Sequence, residues 1–361
     1  MAAPAEHVAV ARRGRAPDAV GAALLAGCAV WALISSAGRE ARPEGVLLAV
    51  LTVTTGYVVG RISGSLVPVA TAGAMALVWF GGAIASGQGT FGAATMSAAA
   101  PPGDSGAVAA LLVLAGGAAC AAATGARRLP VRSAMWLLAA VIAGTALALD
   151  SVVGFLTTAG VVLCSLAAAR IRRRLPGLAA YALITVAVVG TGWAVAERAL
   201  PEGLTVALEG QLTEHRMELW HDAATLVKAD PVRGAGPDRF GDLSTAAARS
   251  PDNDGKPHSA PLQAAAEQGV VGVALLGALF GWSLSVLGRS PCSTPVTLTV
   301  GATLTALAAL ATVGNALSFT QVTLGAGLLA GLATARPAPD LTPQDPPESP
   351  RTARDGEPAG V

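Results

Sequence analysis

Long apolar runs with almost no charge inside them recur along this chain, and they leave it very few folds. The runs are Ala19–Ser36, Gly45–Gly60, Ser65–Ser86, Gly106–Gly125, Ser133–Leu149, Val152–Ala169, Gly177–Ala196, Gly269–Gly288, Thr294–Val313 and Phe319–Ala335. They are roughly 16–22 residues long, about the length a helix needs to cross a hydrocarbon layer about 30 Å thick. A soluble chain carries about 25% charged residues. This one carries 13%, with a mean hydropathy of +0.57. In lipid each backbone polar group must be satisfied internally, which a helix does unaided. The predicted architecture is an all-α integral membrane protein of about ten transmembrane helices.

Arginines give the path a direction. Arg12, Arg13 and Arg15 precede the first run, and Arg61, Arg127, Arg128, Arg132, Arg170, Arg172, Arg173, Arg174 and Arg289 fall in alternate connectors. The intervening short connectors hold Arg39 and Arg42, offset by Glu40 and Glu44. Positive residues favour the cytoplasmic side, so both termini are expected inside, in a cell membrane. The predicted layout is a cytoplasmic segment 1–18, seven spans over 19–196, a large outer loop over 197–268, three spans over 269–335, and a Pro-rich, disordered cytoplasmic tail over 336–361. "LLAGC" at Leu24–Cys28 resembles a lipoprotein cleavage box, but the apolar run continues past the cysteine. An uncleaved span is the better reading.

Several functional classes drop out. Almost no Asp, Glu, Lys or Arg lies mid-span, which argues against an ion-coupled carrier. A net charge of +1 gives no reason to expect a nucleic-acid partner. Cys28, Cys120, Cys164 and Cys292 form no CxxC pair, so neither a disulfide framework nor a zinc site is indicated. Polar chemistry is concentrated in the outer loop.

That loop is polar yet patterned. "TEHRMELWHDAATLVKAD" places Met217, Trp220, Ala224 and Val227 on one helical stripe, expected to lie along the membrane surface. Asp230-Pro231 stops it and "GAGPDRF" turns. The next landmark is His258, one of four histidines. Ser259 is a good N-cap and Pro261 suits a first turn, so a helix should start there. Running to Gly288, it would be roughly 45 Å long, with its N-terminus at headgroup height. Asp252–Asp254, "DND", echoes an Asp-x-Asp metal motif but reads better as an Asp-Gly turn.

These residues resemble the signature region of the O-antigen ligase and polymerase superfamily, multi-pass glycosyltransferases of the bacterial inner membrane. The family pattern is an Arg, a Trp, then Pro-x-x-Gly-x-Gly-x-x-x-Phe. A later His leads into Leu-x-x-x-x-Glu-x-Gly-x-x-Gly at the start of a span. This chain supplies Arg216, Trp220, Pro231, Gly234, Gly236, Phe240, His258, Leu262, Glu267, Gly269 and Gly272 in that order. Ser259 stands where Asn is usual and Pro261 where an aromatic is usual, and the spans are fewer than the usual dozen.

The resemblance implies transfer of a glycan from a polyprenyl-diphosphate carrier to a hydroxyl acceptor at the outer face, with the lipid bilayer as setting. His258 would act as general base or position the acceptor, and Arg216 would hold the diphosphate through a planar fork. Arg239 and Arg233 flank the glycine turn as further phosphate ligands. Trp220 reads as an interfacial anchor, and Gln263 and Glu267, one turn apart, as residues orienting His258 or the acceptor. A diphosphate leaving group neutralised by arginines requires no metal or cofactor. The alternatives are a polymerase of lipid-linked repeat units, a protein-glycosylating variant, and a passive permease or non-catalytic scaffold. Without the family, His258 reads as a solvated loop residue, and Arg216 as a surface partner of Glu209, Glu218 or Asp222.

Overall fold

The computed structural model describes residues 4–87, 105–149, 151–199, 214–249 and 255–336. No strand occurs among the described residues. Before the large loop come α1 (Pro4–Ser36), α2 (Glu44–Leu66), α3 (Pro68–Gly87), α4 (Ser105–Gly125), α5 (Leu129–Ala148), α6 (Val152–Ala168) and α7 (Arg174–Ala196). The loop contributes α8 (Glu214–Ala229), α9 (Phe240–Leu243) and α10 (Thr245–Arg249). After it come α11 (Ala260–Gly288), α12 (Thr294–Val313) and α13 (Thr320–Thr334). Among the described residues eight helices are long and apolar enough to cross a membrane, and the apolar α6 and α13 are shorter. The expected apolar runs are helical over most of their length, the one from Ser65 to Ser86 being broken at Val67, where α2 ends and α3 begins. The protein is an all-α multi-pass membrane protein. The Asp252–Asp254 turn and the tail beyond Arg336 lie outside the described residues.

Local sequence sets the helix starts. Pro130 occupies the first turn of α5, where its missing N–H is no loss. Ser151 caps α6 by accepting the Gly154 N–H at 3.2 Å. The first helix extends back to Pro4, well ahead of the expected boundary at Ala19, and passes through Pro17.

Packing is organised around α4, which meets α3, α5, α6 and α12. Ala and Gly dominate its sequence, so neighbouring backbones approach closely, the usual route to helix association in lipid. Leu112, Val113 and Leu114 within it are fully buried. On the periphery, Val78 and Leu183 are each 70% exposed, forming an apolar surface suited to lipid. Between α2 and α13 the contact is backbone to backbone: a Cβ on Gly60 would stand 2.2 Å from the Leu328 carbonyl oxygen. The hydroxyls of Thr52 and Thr323 bond across the same seam at 2.8 Å.

A second, smaller core sits at one end of the bundle. Leu219, Trp220, Ala223 and Ala224 of α8 meet Phe240, Ala246, Leu262, Ala265 and Ala266 there. Two expectations change as a result. The apolar stripe of α8 packs against α11 and α7 instead of lying along the membrane. The residues that hydropathy assigned to lipid contact had a protein partner. Nor is the helix after His258 straight. Gly269 takes φ 68 and ψ −166, so Ala260–Gln268 joins the loop and the spanning stretch begins at Val270.

Candidate functional site

The glycine turn and the break in α11 are two halves of one junction. In an unbroken helix the Val270 N–H would bond Ala266. Here it donates to the Pro231 carbonyl at 2.8 Å. The freed Ala266 and Glu267 carbonyls instead accept the N–H groups of Ala235 at 2.7 Å and Gly236 at 2.8 Å. A Cβ at Gly269 would stand 2.2 Å from the Val232 oxygen, and one at Gly234, whose φ is +64, 2.6 Å from the Glu267 carbonyl carbon. Only glycine fits either side, which gives the two separated motifs a shared physical reason.

From this junction the chain is tied to the α1–α2 connector. Arg39 donates from Nη1 to the Gly234 carbonyl and from Nη2 to Asp230 Oδ2 at 2.8 Å. The Arg42 N–H donates to the Pro237 carbonyl at 3.0 Å. The Arg233 backbone N–H, followed by Arg39, holds the Asp230 carboxyl below the usual carboxylate range. Sequence reasoning gave Arg39 and Asp230 no part in the site. Their spacing along the chain carries no signal of their contact.

His258 stands on a constrained backbone. Its φ is +51, a left-handed conformation uncommon outside glycine and asparagine. Trp220 fixes the residue before it: the indole Nε1–H donates to the Pro257 carbonyl at 2.8 Å. Expected as an interfacial anchor, Trp220 is instead 1% exposed and turned into the outer core. Ser259 occupies the N-cap position of α11, yet its hydroxyl caps nothing and is buried without a partner. The backbone carbonyl of Ser259 accepts the Gln263 N–H at 2.8 Å, which begins the helix.

The arginines divide into two kinds. Arg233 donates from Nη2 to the Ile34 and Ala37 carbonyls at 2.7 and 3.1 Å, closing the C-terminus of α1. Its Nε, like that of Arg239, is buried with no hydrogen-bond partner among the described residues. Arg216 is half-buried, and that burial lowers its pKa. Two acids of α8 are engaged elsewhere. Glu218 pairs with Arg249 at 3.1 Å, and Asp222 accepts from the Ser244 hydroxyl and the Ala246 N–H. Glu209 lies outside the described residues. The Nε of Arg239, two residues before Gly241, is buried with no partner among the described residues.

Arg239 and His258 belong to adjoining segments. Gly241 and Gly255 touch so closely that a Cβ on Gly241 would stand 2.9 Å from the Gly255 Cα. A polar cleft of about 520 Å³ opens beside this contact, lined by Glu40, Arg42, Asp238 and Asp242 among others. Gln263 and Glu267 bond each other, Nε2 to Oε1 at 3.3 Å. Glu267 is 3% exposed, and burial pushes its carboxyl up to about 7 against the lowering effect of the Asp238 N–H and Gln263. His215 is exposed, and His221 faces the Ala196 carbonyl at 3.2 Å. Among the described residues no three His, Cys, Asp or Glu are placed to hold a metal ion.

A bundle of apolar helices, topped by a small folded unit that carries half-buried arginines and a constrained histidine, defines a multi-pass membrane protein. The chain belongs to the O-antigen ligase family, whose pattern it matches over residues 91–277, just over half its length. Comparison with curated proteins and with solved structures gives no match. The matched stretch contains α4 to α10 and the first part of α11, and so the whole outer unit. Family membership implies a ligase- or polymerase-type glycosyltransferase working in a membrane on a lipid-linked glycan.

Proposed function

We propose that the protein takes a glycan from a polyprenyl-diphosphate carrier and transfers it to a hydroxyl acceptor at the outer face of the cell membrane. The acceptor hydroxyl attacks the anomeric carbon while the bond to the diphosphate breaks. Arg216 and Arg239 stabilise the charge gathering on the departing diphosphate. His258 receives the acceptor proton or positions the hydroxyl that loses it. The polar cleft between Asp238 and Glu40 is the space assigned to the acceptor.

One observation carries this reading. Arg216 and Arg239 keep hydrogen-bonding capacity that no described carboxylate takes up, on the same small unit as His258. A solvated surface helix would leave its arginines paired or fully exposed. Burying guanidinium groups without a counter-charge is costly, and an anionic substrate removes that cost.

The test uses purified protein in proteoliposomes with a polyprenyl-diphosphate-linked oligosaccharide and a panel of glycolipid acceptors. Release of free polyprenyl diphosphate, together with an acceptor that gains the mass of the glycan, is the expected result. Movement of intact donor across the bilayer without release would overturn the transferase reading in favour of a permease.

A further inference from the structure

Where α7 begins and α11 ends, at the face of the bundle opposite His258, the structure forms a cavity of about 630 Å³. Its lining includes Arg173, Arg174, Leu175, Pro176, Arg289 and Ser290. We propose that this cavity binds the phosphate headgroup of an anionic phospholipid.

Charge is the first argument. Three arginines line it from two connectors, and none of its lining residues is an Asp or Glu. Asp18, near the same ends of α2 and α11, is already held by Arg61 at 2.5 Å. Arginine is matched to phosphate by its planar array of donors. A concave group of arginines with no acid among its lining residues therefore invites an anion.

Shape is the second argument. Arg174 is oriented by a hydrogen bond from Nη1 to the Ser290 carbonyl at 2.6 Å, which leaves its other N–H groups available. Ser290 is itself buried, its hydroxyl donating to the Ala333 carbonyl of α13, so the floor of the cavity is fixed by a third helix. Leu175 lies at the rim and is 67% exposed, an apolar surface continuous with the outer face of α7. A headgroup seated on the arginines would lay its acyl chains along that surface. A free phosphate would use the arginines alone. Arginines that serve only to orient the chain need no cavity, and basic pockets between transmembrane helices suit lipid headgroups.

The experiment measures lipid retention by native mass spectrometry of the full chain, offered phosphatidylglycerol, phosphatidylcholine or glycerol 1-phosphate. Wild type should retain phosphatidylglycerol well above phosphatidylcholine. Arg173→Gln with Arg289→Gln should weaken that retention about ten- to thirtyfold, at roughly one kcal/mol for each basic residue near an anionic surface. Arg127→Gln with Arg128→Gln removes the same charge from another connector and should leave retention nearly unchanged. Both arginine pairs are exposed, so the variants should insert and remain monodisperse. Equal loss in the two double variants would show diffuse attraction and overturn the site. Equal retention of phosphatidylcholine, or glycerol 1-phosphate binding as tightly as the lipid, would overturn the lipid assignment.

Discussion

The Trp220 indole donates to the carbonyl of Pro257 at 2.8 Å, linking the buried face of α8 to the residue directly before His258. Arg216 lies one helical turn earlier, about 6 Å along the same helix. The two residues assigned to chemistry are thus joined through one buried side chain. Trp220→Phe retains most of the ring volume and removes the donor, leaving the Pro257 oxygen unpaired at a cost of about 1–3 kcal/mol. The variant should accumulate, bind lipid-linked donor normally and lose roughly tenfold in turnover, as expected of a positioning residue displaced by a fraction of an ångström. A fall in donor binding with turnover of bound donor unchanged would instead place Trp220 in the donor site.

Arg216 should tolerate substitution structurally because no hydrogen bond or ion pair with a described residue holds it. Arg216→Lys keeps the charge but loses the planar fork, so transfer should fall substantially, and Arg216→Ala should fall further. Both should insert and elute as wild type does. Wild-type rates from purified donor in both variants would reduce Arg216 to a solvated residue.

Orientation follows from the arginine alternation and is open to direct labelling. In a background with the four cysteines replaced, Ala248→Cys on α10 and Ala169→Cys between α6 and α7 are both exposed. A membrane-impermeant maleimide should label Ala248→Cys in intact spheroplasts and Ala169→Cys only after lysis. The reverse pattern would put His258 inside and remove access to an outer-face acceptor.

The spans were legible because each apolar run is contiguous and of membrane length, a property that needs no partner to be read. The order of Arg216, the glycine turn and His258 was legible for the same reason. Hydropathy does not say what an apolar stripe touches, so Trp220 and Val227 read as membrane contacts when α11 covers them. Nor does it rank arginines. Arg233 and Arg239 flank the same turn, and only the approach of α1, nearly two hundred positions away, gives the Arg233 Nη2 its protein partners. Gly269 carried a hint, since a glycine inside a helical pattern marks a weak point. The break became understandable once the Pro231 carbonyl was seen taking the Val270 N–H.

Glu267 should make stability depend on pH. Burial raises its carboxyl from the usual 4.5 to about 7. The folded chain therefore keeps a proton that the unfolded chain releases over that interval. The contribution is fully present below about pH 4.5 and is lost as pH rises towards 7, at about 1.4 kcal/mol per pH unit at most. Glu267→Gln keeps a carbonyl acceptor for the Asp238 N–H and removes the titration. Thermal unfolding in detergent should show wild type losing stability from pH 5 to 7 while the variant stays flat. Parallel curves would mean that the carboxyl stays ionised throughout.

His258 is best tested with a residue that accepts its backbone. A φ of +51 disfavours alanine by roughly 1–2 kcal/mol, so His258→Ala mixes strain with lost chemistry. Asparagine visits that conformation readily and cannot serve as a base near neutral pH. His258→Asn should therefore fold and insert as wild type, bind lipid-linked donor through Arg216 and Arg239, and accumulate it unreacted. The expected loss is about a hundred- to ten-thousandfold in turnover, the usual range for a general base. His215→Ala, on the exposed face of α8, should stay within a few fold of wild type. The pH–rate profile separates the two roles proposed for His258. If the imidazole takes the proton, raising the pH should recover part of the lost rate in His258→Asn as hydroxide replaces it. If it only positions the hydroxyl, both profiles should keep one shape and differ by a constant factor. Near-normal turnover in His258→Asn would leave the histidine with no part in the reaction.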